Sequence, residues 1–412
     1  MSPLDNFVVD TNDGCDVVCN GCMVYELADQ SLRGSSKTVN VPVVRQLGKR
    51  INEHAVAHEL EEVNVILFGG EPLLRGGKHV DMVAETLNGE VTDAQIVYRA
   101  TTNGMRYRKD PELREVVAKH GIRLGFSVNG YKAVHDSTRR HYNGSGTFDE
   151  VAEAIDIVRT QYPENYSGIL CTLLDPDSDP ELTQQTLYDL RPPNMDYLFD
   201  HGMAGKRRPH DRFEDRPTET PYGDWLVRAF EYWNEYSYHP ASYEYSLYNG
   251  PYEYIPGVRL FDAIIGMFRD KPEMGYSVQA GARNPWSVVA ITTDGRIRND
   301  PGYNACFEGA AETGMNVFHH SFDDVLRYPS FVQAQLGKAG LGKTCQECPI
   351  VDKCGGGFPA HRYWNENPAR EPSEYIADMF KYPSYYCADI TKLIEHIAAV
   401  MGKDPYSDIR IG

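Results

Sequence analysis

Short apolar segments alternate with helix-like segments along the first 200 residues of the chain. The apolar segments are almost wholly nonpolar, which is typical of strands buried on both faces of a parallel sheet. These predicted strands cover residues 7–10, 63–68, 96–101, 123–128, 168–174 and 195–199. The predicted helices cover residues 41–60, 78–88, 111–120, 148–161 and 181–190. Six such β/α units predict an α/β fold, a partial (β/α)6 barrel of TIM type in residues 1–200.

The pattern changes after residue 200. Residues 200–221 are polar and rich in charge, which indicates an exposed loop, and a helix-like segment follows over 223–233. Nine tyrosines lie between residues 222 and 254, either packing two domains together or lining a channel for a substrate chain. We therefore predict a bridging, aromatic-rich region over 201–284 and a C-terminal domain over 285–412. Within that domain, 286–298 is typical of a hairpin turning at Asp294-Gly295, and a helix is expected near 388–402.

The composition of the chain disfavours some classes of binding partner. The 412 residues are 41% hydrophobic, enough for a sizeable core, and carry a formal net charge of −18. Such an acidic surface repels phosphate backbones and anionic lipids, so we expect neither a nucleic-acid nor a membrane partner. The chain has no apolar run long enough to span a membrane, and its start does not have the pattern of a secretory signal. We therefore expect a cytoplasmic protein whose nine cysteines serve metal or redox chemistry.

Three of these cysteines crowd the loop after the first predicted strand. Cys15, Cys19 and Cys22 have the spacing C-x3-C-x2-C, and three thiolates on a short loop can hold one face of a 4Fe–4S cube. The fourth iron would stay open to a small chelate, and the amino and carboxylate groups of S-adenosylmethionine suit it. A zinc knuckle and three unrelated thiols are the alternatives, although structural zinc sites normally have four ligands.

A glycine-rich segment, Gly69-Gly70-Glu71-Pro72, ends the second predicted strand. Two glycines let the backbone approach a ligand closely, and the Glu71 carboxylate or nearby carbonyls can accept hydrogen bonds from an ammonium group. In a barrel the C-terminal strand ends meet at one face, so this segment is expected beside the cysteine loop. We interpret it as a clamp for the methionine end of the cofactor.

A second cysteine set lies near the C-terminus. Four ligands close a metal site, so this set fits either a structural zinc or a fully ligated auxiliary iron–sulfur cluster. Its members are Cys345, Cys348, Cys354 and Cys387, with a glycine run at 355–357. Cys306 is expected to be an ordinary loop thiol, and Cys171 a small core residue or, at the barrel mouth, a hydrogen-atom donor.

Together these motifs resemble the radical S-adenosylmethionine (SAM) enzymes. The resemblance includes Thr102-Asn103-Gly104 after the third predicted strand and the segment from Ser127 to Arg139, which contains His135-Asp136. It implies that Asn103 lies in the cofactor site, that Ser127 contacts the ribose and that Arg139 contacts the cofactor carboxylate. Two positions depart from the family pattern: Asn129 replaces the usual Asp, and Gly21 replaces the usual aromatic residue.

The second cysteine set resembles the SPASM extension of peptide-modifying radical SAM enzymes. That extension implies at least one auxiliary 4Fe–4S cluster on the four C-terminal cysteines, with Phe358 where a further cysteine would ligate a second one. Further segments resemble the FxsB-type peptide maturases. These segments are Tyr25–Ser31 and residues 69–77, 190–202, 220–233, 258–264 and 354–363.

The resemblance implies an oxidation of a short ribosomal precursor peptide, assisted by a reducing partner such as flavodoxin or ferredoxin. The expected product is a carbon–carbon crosslink between a side-chain carbon and an aromatic ring, a three-residue cyclophane. Epimerisation, side-chain dehydrogenation and a zinc- or cluster-stabilised binding protein are the alternatives. The sequence does not identify a catalytic base: Asp200, His201 and Asp262 follow predicted elements, and none is favoured.

Overall fold

The computed structural model describes residues 2–31, 37–207, 209–237, 256–271, 277, 279–280, 287–366 and 378–406. Within these residues the predicted barrel strands form one continuous sheet covered by helices, which confirms the α/β fold and its parallel core. The strands are β1 (Asn6–Asn12), β2 (Val18–Cys19), β3 (Glu62–Gly69), β4 (Gln95–Thr102), β5 (Arg123–Ser127), β6 (Arg139–Arg140), β7 (Tyr166–Leu173), β8 (Asn194–Phe199), β9 (Gly257–Val258), β10 (Val288–Ile291), β11 (Arg296–Arg298) and β12 (Glu312–Asn316).

The helices of the described residues surround this sheet and form most of the C-terminal region. They are α1 (Val41–Ala57), α2 (Gly77–Glu90), α3 (Met105–Lys109), α4 (Pro111–Lys119), α5 (Lys132–Thr138), α6 (Phe148–Gln161), α7 (Pro180–Asp189), α8 (Pro221–Ser237), α9 (Arg259–Phe268), α10 (Phe322–Val325), α11 (Pro329–Gln335), α12 (Lys343–Gln346), α13 (Val351–Cys354) and α14 (Cys387–Val400).

The barrel helices begin where the sequence offers caps. The side chains of Asn40, Asp110 and Asp179 accept hydrogen bonds from backbone N–H groups in the first turns of α1, α4 and α7. Each cap is worth about 1 kcal/mol of stability. A proline follows in the first two positions of each helix, where its missing N–H is not needed. Capping residues and proline thus fix where these helices start.

The barrel strands bury one face against the helices and leave the other face accessible. In β3, Val63, Val65 and Leu67 are fully buried, whereas the alternating Ile66 and Phe68 are only half-buried. The same alternation continues through β4, β5 and β7. Because side chains alternate across a strand, the half-buried set lines the inside of the barrel. The barrel interior is therefore an open lumen.

Strands are added to both edges of the predicted barrel. Strand β9 pairs in parallel with β8, and β10 pairs in parallel with β1, so that Phe7 lies opposite Val289. The hairpin predicted over 286–298 is present as β10 and β11, with Gly295 in the left-handed region at φ 84°. Its first strand thus extends the barrel sheet rather than standing apart from it. The domain division at residues 200 and 284 remains a prediction.

Six of the nine tyrosines in the predicted bridge lie outside the described residues. Of its described part, Tyr222 is buried on α8 and packs edge-on against Phe199 at the end of β8. The predicted C-terminal helix is present as α14. None of the helices among the described residues combines the length and apolar character needed to cross a bilayer.

Gly168 shows where the sheet requires glycine. Its φ is 146°, and an added Cβ would collide with the carbonyl oxygen of Asn194 on β8. We predict that Gly168→Ala lowers the free energy of unfolding by about 1–3 kcal/mol, because the strained backbone and the collision act together. Thermal and urea denaturation followed by circular dichroism measure the change.

Gly89 provides the matched control. It lies exposed in α2, and an added Cβ there would meet no atom within 4 Å. Gly89→Ala should leave stability unchanged or raise it by roughly 0.5–1 kcal/mol. Equal effects at the two positions would contradict the close approach of β7 and β8.

Candidate functional site

The three N-terminal cysteines lie on the loop between β1 and α1. Strand β2 within this loop pairs antiparallel with β6, so that Cys19 lies opposite Arg139. The Asn20 N–H donates to the Thr138 carbonyl at 2.9 Å. These backbone bonds hold the cysteine loop beside the C-terminal ends of the barrel strands, where the sequence predicts the site.

The spacing of the cysteine sulfurs argues against a single metal ion. Four sulfurs around one zinc ion, with bonds of about 2.3 Å, lie only about 3.8 Å apart. Among the described residues, two groups of three or more potential ligands have all their ligand atoms within 4.8 Å of one another, and neither contains a cysteine. Both cysteine sets are therefore more widely spread than a zinc tetrahedron. An iron–sulfur cube, which is larger than a single ion, takes more widely spaced sulfurs.

The N-terminal thiols need a positive partner to ionise. Burial raises the pKa of Cys15, and the negative charge of Glu71 adds to the effect. Burial also raises the pKa of Cys19, while the Arg139 guanidinium lowers it. Arg139 Nη1 lies 3.5 Å from the Cys19 sulfur, and Asn103 Nδ2 lies 3.7 Å from the Cys15 sulfur. A bound metal cluster would favour the thiolates and release their protons.

The two glycines after β3 are required by close backbone packing. Gly69 has a φ of 123°, and a Cβ there would collide with the carbonyl oxygen of Asn12. A Cβ on Gly70 would collide with the Tyr25 hydroxyl and the Gly14 carbonyl oxygen. The segment therefore lies directly against the cysteine loop, as the sequence predicts.

The carboxylate of Glu71 is a buried link between strand ends. It accepts hydrogen bonds from the Thr102 hydroxyl at 2.6 Å, the Asn103 N–H at 2.8 Å and the Leu73 N–H at 3.1 Å. Burial raises its pKa to about 7 against the opposing effect of these donors. Because three donors already hold the carboxylate in place, the backbone carbonyls are the more available acceptors for an ammonium group at this segment.

Of the three further cofactor-site residues that the family resemblance implies, Asn103 and Arg139 contact the cysteine loop. Asn103 donates to the Asp16 carboxylate at 2.8 Å as well as approaching Cys15. Ser127 ends β5 on its half-buried face and has no side-chain partner among the described residues. The Arg139 Nε is buried and makes no hydrogen bond to them either. An unpaired buried donor of this kind suits a ligand carboxylate.

The two departures from the family pattern have structural reasons. Gly21 has a φ of 69°, a conformation that disfavours an aromatic side chain. Asn129 is buried, donates to the Thr138 hydroxyl at 3.2 Å and accepts from the Thr172 N–H at 3.3 Å. Asn129 therefore joins β5, α5 and β7. A carboxylate could accept from Thr172 but could not donate to Thr138.

Two tyrosines at the site were not predicted. The Tyr25 hydroxyl donates to the Asp13 carbonyl and lies against Gly70. Tyr142 is 75% exposed, and its hydroxyl donates to the Cys15 carbonyl at 3.2 Å. Each lies three residues beyond a predicted site residue, Cys22 and Arg139 respectively. That proximity is the signal by which they could have been found.

The four C-terminal cysteines form a second site. Cys345 lies in α12, Cys354 ends α13 and Cys387 begins α14. Three successive glycines after Cys354 have positive φ angles between 67° and 84°, which turn the chain sharply back. Burial raises the pKa of Cys387, and the charges of the other three thiolates raise it further, so the four sulfurs are close in space.

Cationic side chains compensate this second set of thiols. Burial raises the pKa of Cys345 to about 11, an effect that the Arg362 guanidinium opposes. Arg216 likewise opposes the raised pKa of Cys348 and Cys387. Arg362 is itself buried, and its Nε has no hydrogen-bond partner among the described residues. This orphaned donor fits the sulfur atoms of a bound cluster.

The two remaining cysteines are isolated from both sets. Cys171 is 1% exposed on β7 and packs in the main hydrophobic core. Cys306 is buried, and its thiol faces the Ala360 carbonyl at 3.8 Å. The ring of Phe358 packs against His201 and His361, with ring centres 4.9 and 5.2 Å apart. Aromatic side chains therefore occupy the surroundings of Phe358.

The three acid–base candidates have different settings. His201 Nδ1 is 2.9 Å from His361 Nε2, and burial lowers the pKa of His201 to about 4. Asp262 lies on α9, where burial and the charge of Asp196 raise its pKa to about 7. Asp200 follows β8 and lies close to Gly21 in the cysteine loop, since a Cβ on Gly21 would be 3.4 Å from its Oδ1.

The chain is similar to known proteins in family profile, sequence and fold. The family profile of the radical SAM superfamily matches residues 9–186. The cysteine-type anaerobic sulfatase-maturating enzyme of Clostridium perfringens strain 13 is 24% identical over 174 residues, covering 42% of this chain and 45% of that relative. The enzyme of the same description from Clostridium novyi is 23% identical over 172 residues, covering 40% and 43%. The matched region thus spans less than half of these curated relatives.

Solved structures resemble almost the whole chain. Native anSMEcpe with bound AdoMet has a TM-score of 0.71 at 16% identity, covering 96% of this chain and 97% of that one. The same protein with bound AdoMet and Kp18Cys peptide gives a TM-score of 0.72 at 16% identity over the same shares. At this identity the likeness establishes the fold. Residues 9–186 thus match the radical SAM superfamily by profile, and that family binds a 4Fe–4S cluster and S-adenosylmethionine.

Proposed function

We propose that this protein oxidises a short ribosomal precursor peptide and joins a side-chain carbon to an aromatic ring, giving a three-residue cyclophane. The observation that carries the proposal is the cysteine loop, which β6 holds at the strand ends of an accessible lumen. A lumen open to this loop brings a substrate side chain to the cofactor, and exclusion of water protects a reactive intermediate.

Different residues of the N-terminal site would bind different parts of the cofactor. Cys15, Cys19 and Cys22 would hold the 4Fe–4S cluster, and the carbonyls of the 69–72 segment would accept from the amino group of S-adenosylmethionine. Asn103, Ser127 and Arg139 would bind the rest of that cofactor, and the unpaired Arg139 Nε is a donor suited to its carboxylate. When bound, the two cofactors supply a 5′-deoxyadenosyl radical, which takes hydrogen from an unactivated carbon.

The C-terminal site holds the electron acceptor. Forming one crosslink removes two hydrogens: one leaves as an atom, and the other as a proton and an electron. Cys345, Cys348, Cys354 and Cys387 would bind one auxiliary 4Fe–4S cluster, which would supply an acceptor for the electron. Arg362 and Arg216 stabilise its thiolate ligands. The Phe358 ring and the single thiol of Cys306 support one auxiliary cluster rather than two.

A peptide is the substrate class that the relatives favour. The curated relatives are described as sulfatase-maturating enzymes, and one structurally similar protein was solved with bound AdoMet and a peptide. We infer a cytoplasmic setting with a flavodoxin or ferredoxin as reductant, because the buried thiols require reducing conditions. Epimerisation, the alternative, needs a thiol donor at the barrel mouth. Cys171 packs instead in the core against the helices, so crosslinking or dehydrogenation is favoured.

Replacing Cys19 tests the first cluster. Cys19→Ala should abolish cleavage of S-adenosylmethionine by dithionite-reduced, anaerobically reconstituted protein and should remove about four irons per chain. Chromatography of 5′-deoxyadenosine and iron analysis measure both effects. Cys171→Ala is the control and should leave the iron count unchanged. Full cleavage by the Cys19 variant would contradict the assignment.

Iron counting tests the second cluster. The wild-type protein should contain roughly eight irons, and Cys354→Ala should contain roughly four, because an incomplete ligand set does not retain its cube. Cys306→Ala should stay at roughly eight. A wild-type content of roughly twelve irons would instead indicate a second auxiliary cluster.

Mass spectrometry tests the product. Co-expression with the short open reading frame beside this gene should give a peptide lighter by two hydrogens per crosslink, with backbone fragmentation suppressed between the joined residues. Unchanged mass with deuterium incorporation from solvent would indicate epimerisation. A loss of two hydrogens with normal fragmentation throughout would indicate dehydrogenation.

A further inference from the structure

The end of β8 brings a carboxylate into the barrel mouth. Tyr197 and Phe199 on this strand pack outward against Trp225 and Tyr222 of α8. Leu198, which alternates with them, is half-buried, and so is Asp200 immediately after the strand. The backbone at Asp200 is extended, with φ −64° and ψ 120°. The alternation therefore continues, and Asp200 faces the lumen like Leu198.

The Asp200 carboxylate has one oxygen held and one available. Its Oδ1 accepts from the Gly202 N–H at 2.8 Å, which fixes the side chain. Its Oδ2 accepts no hydrogen bond from the described residues. The Oδ1 position lies 3.4 Å from where a Cβ on Gly21 would be, so the group is at the edge of the cysteine loop. Burial raises its pKa, which makes the carboxylate a better proton acceptor.

The same residue contacts the C-terminal site through its backbone. The Asp200 carbonyl accepts from the Tyr386 hydroxyl at 2.7 Å, and the Tyr386 ring stacks on Phe199 with ring centres 4.2 Å apart. Tyr386 is fully buried and directly precedes Cys387. One residue at the end of β8 thus lies between the N-terminal cysteine loop and a proposed ligand of the auxiliary cluster.

The other candidate proton acceptors do not combine a place at the barrel mouth with an available acceptor atom. His201 is hydrogen-bonded to His361 and kept neutral by burial. Asp262 lies beside Asp196 in the first half of β8, away from the strand ends. Glu71 has its carboxylate occupied by three donors.

We propose that Asp200 is the catalytic residue that accepts the proton lost by the peptide during oxidation. The assignment rests on the proposed function. After a hydrogen atom has left the side-chain carbon, that carbon bonds to the ring and leaves one unpaired electron there. The ring C–H bond then breaks, its proton goes to Asp200 Oδ2, and its electron pair restores aromaticity. The remaining unpaired electron would be taken up by an auxiliary iron–sulfur cluster held by the four C-terminal cysteines.

Asp200→Asn is the decisive variant because Asn keeps the acceptor for the Gly202 N–H but does not take up a proton. The probe is the co-expressed peptide once its crosslink has been mapped, deuterated at the attacked carbon. Deuterium transfer to 5′-deoxyadenosine should continue, while crosslink formation falls about 100-fold or more. Freeze-quench electron paramagnetic resonance should show a substrate radical that accumulates and an auxiliary cluster that stays oxidised.

Asp175→Asn is the matched control. Asp175 follows the neighbouring strand β7 and accepts from the Asp177 N–H at 3.0 Å in the same type of turn, but it is exposed. This variant should behave as wild type. An Asp200→Asn variant that crosslinks at the wild-type rate, or that loses deuterium transfer as well, would overturn the assignment. No deuterium transfer in the wild-type protein would instead contradict the proposed function, and the assignment with it.

Discussion

The pairing of Cys19 with Arg139 is the interaction on which the site depends. It joins a loop near the N-terminus to a segment 120 residues later. The loop alone would have no fixed place, because C-x3-C-x2-C contains few apolar groups to bury. Backbone bonds to β6 fix both the sulfurs and the guanidinium of Arg139. A change that loosens this pairing would misplace the cluster ligands and the carboxylate-binding group together.

Buried polar groups then connect this loop to the barrel. The Glu71 carboxylate accepts from three donors around the ends of β3 and β4, and Asn103 extends from there to the loop. Such groups are costly to bury unless they are satisfied, so they specify one arrangement of the strand ends. Buried groups are compensated at the C-terminal site as well, because two guanidinium groups offset the charge of its thiolates.

Local patterns in the sequence were sufficient to predict the barrel elements. The predicted helix over 148–161 coincides with Phe148–Gln161, and the strand predicted over 63–68 is Glu62–Gly69. The parallel pairing of β10 with β1 could not be predicted, because it joins residues about 280 positions apart and leaves no local periodicity. Tyr142 was missed for a related reason: only the docked loop brings its hydroxyl to the Cys15 carbonyl. The motif residues predict which parts of the chain form the site. The contacts that support the site depend on tertiary structure and could not be predicted from those motifs.

The central claim is that the three N-terminal sulfurs leave one iron open to S-adenosylmethionine. Electron–nuclear double resonance on the reduced protein tests it most directly, using the Cys354→Ala variant so that the auxiliary cluster does not interfere. S-adenosylmethionine labelled isotopically in its amino and carboxylate groups should show hyperfine coupling from both groups to the cluster. A cluster spectrum with no coupling to either label would contradict the account.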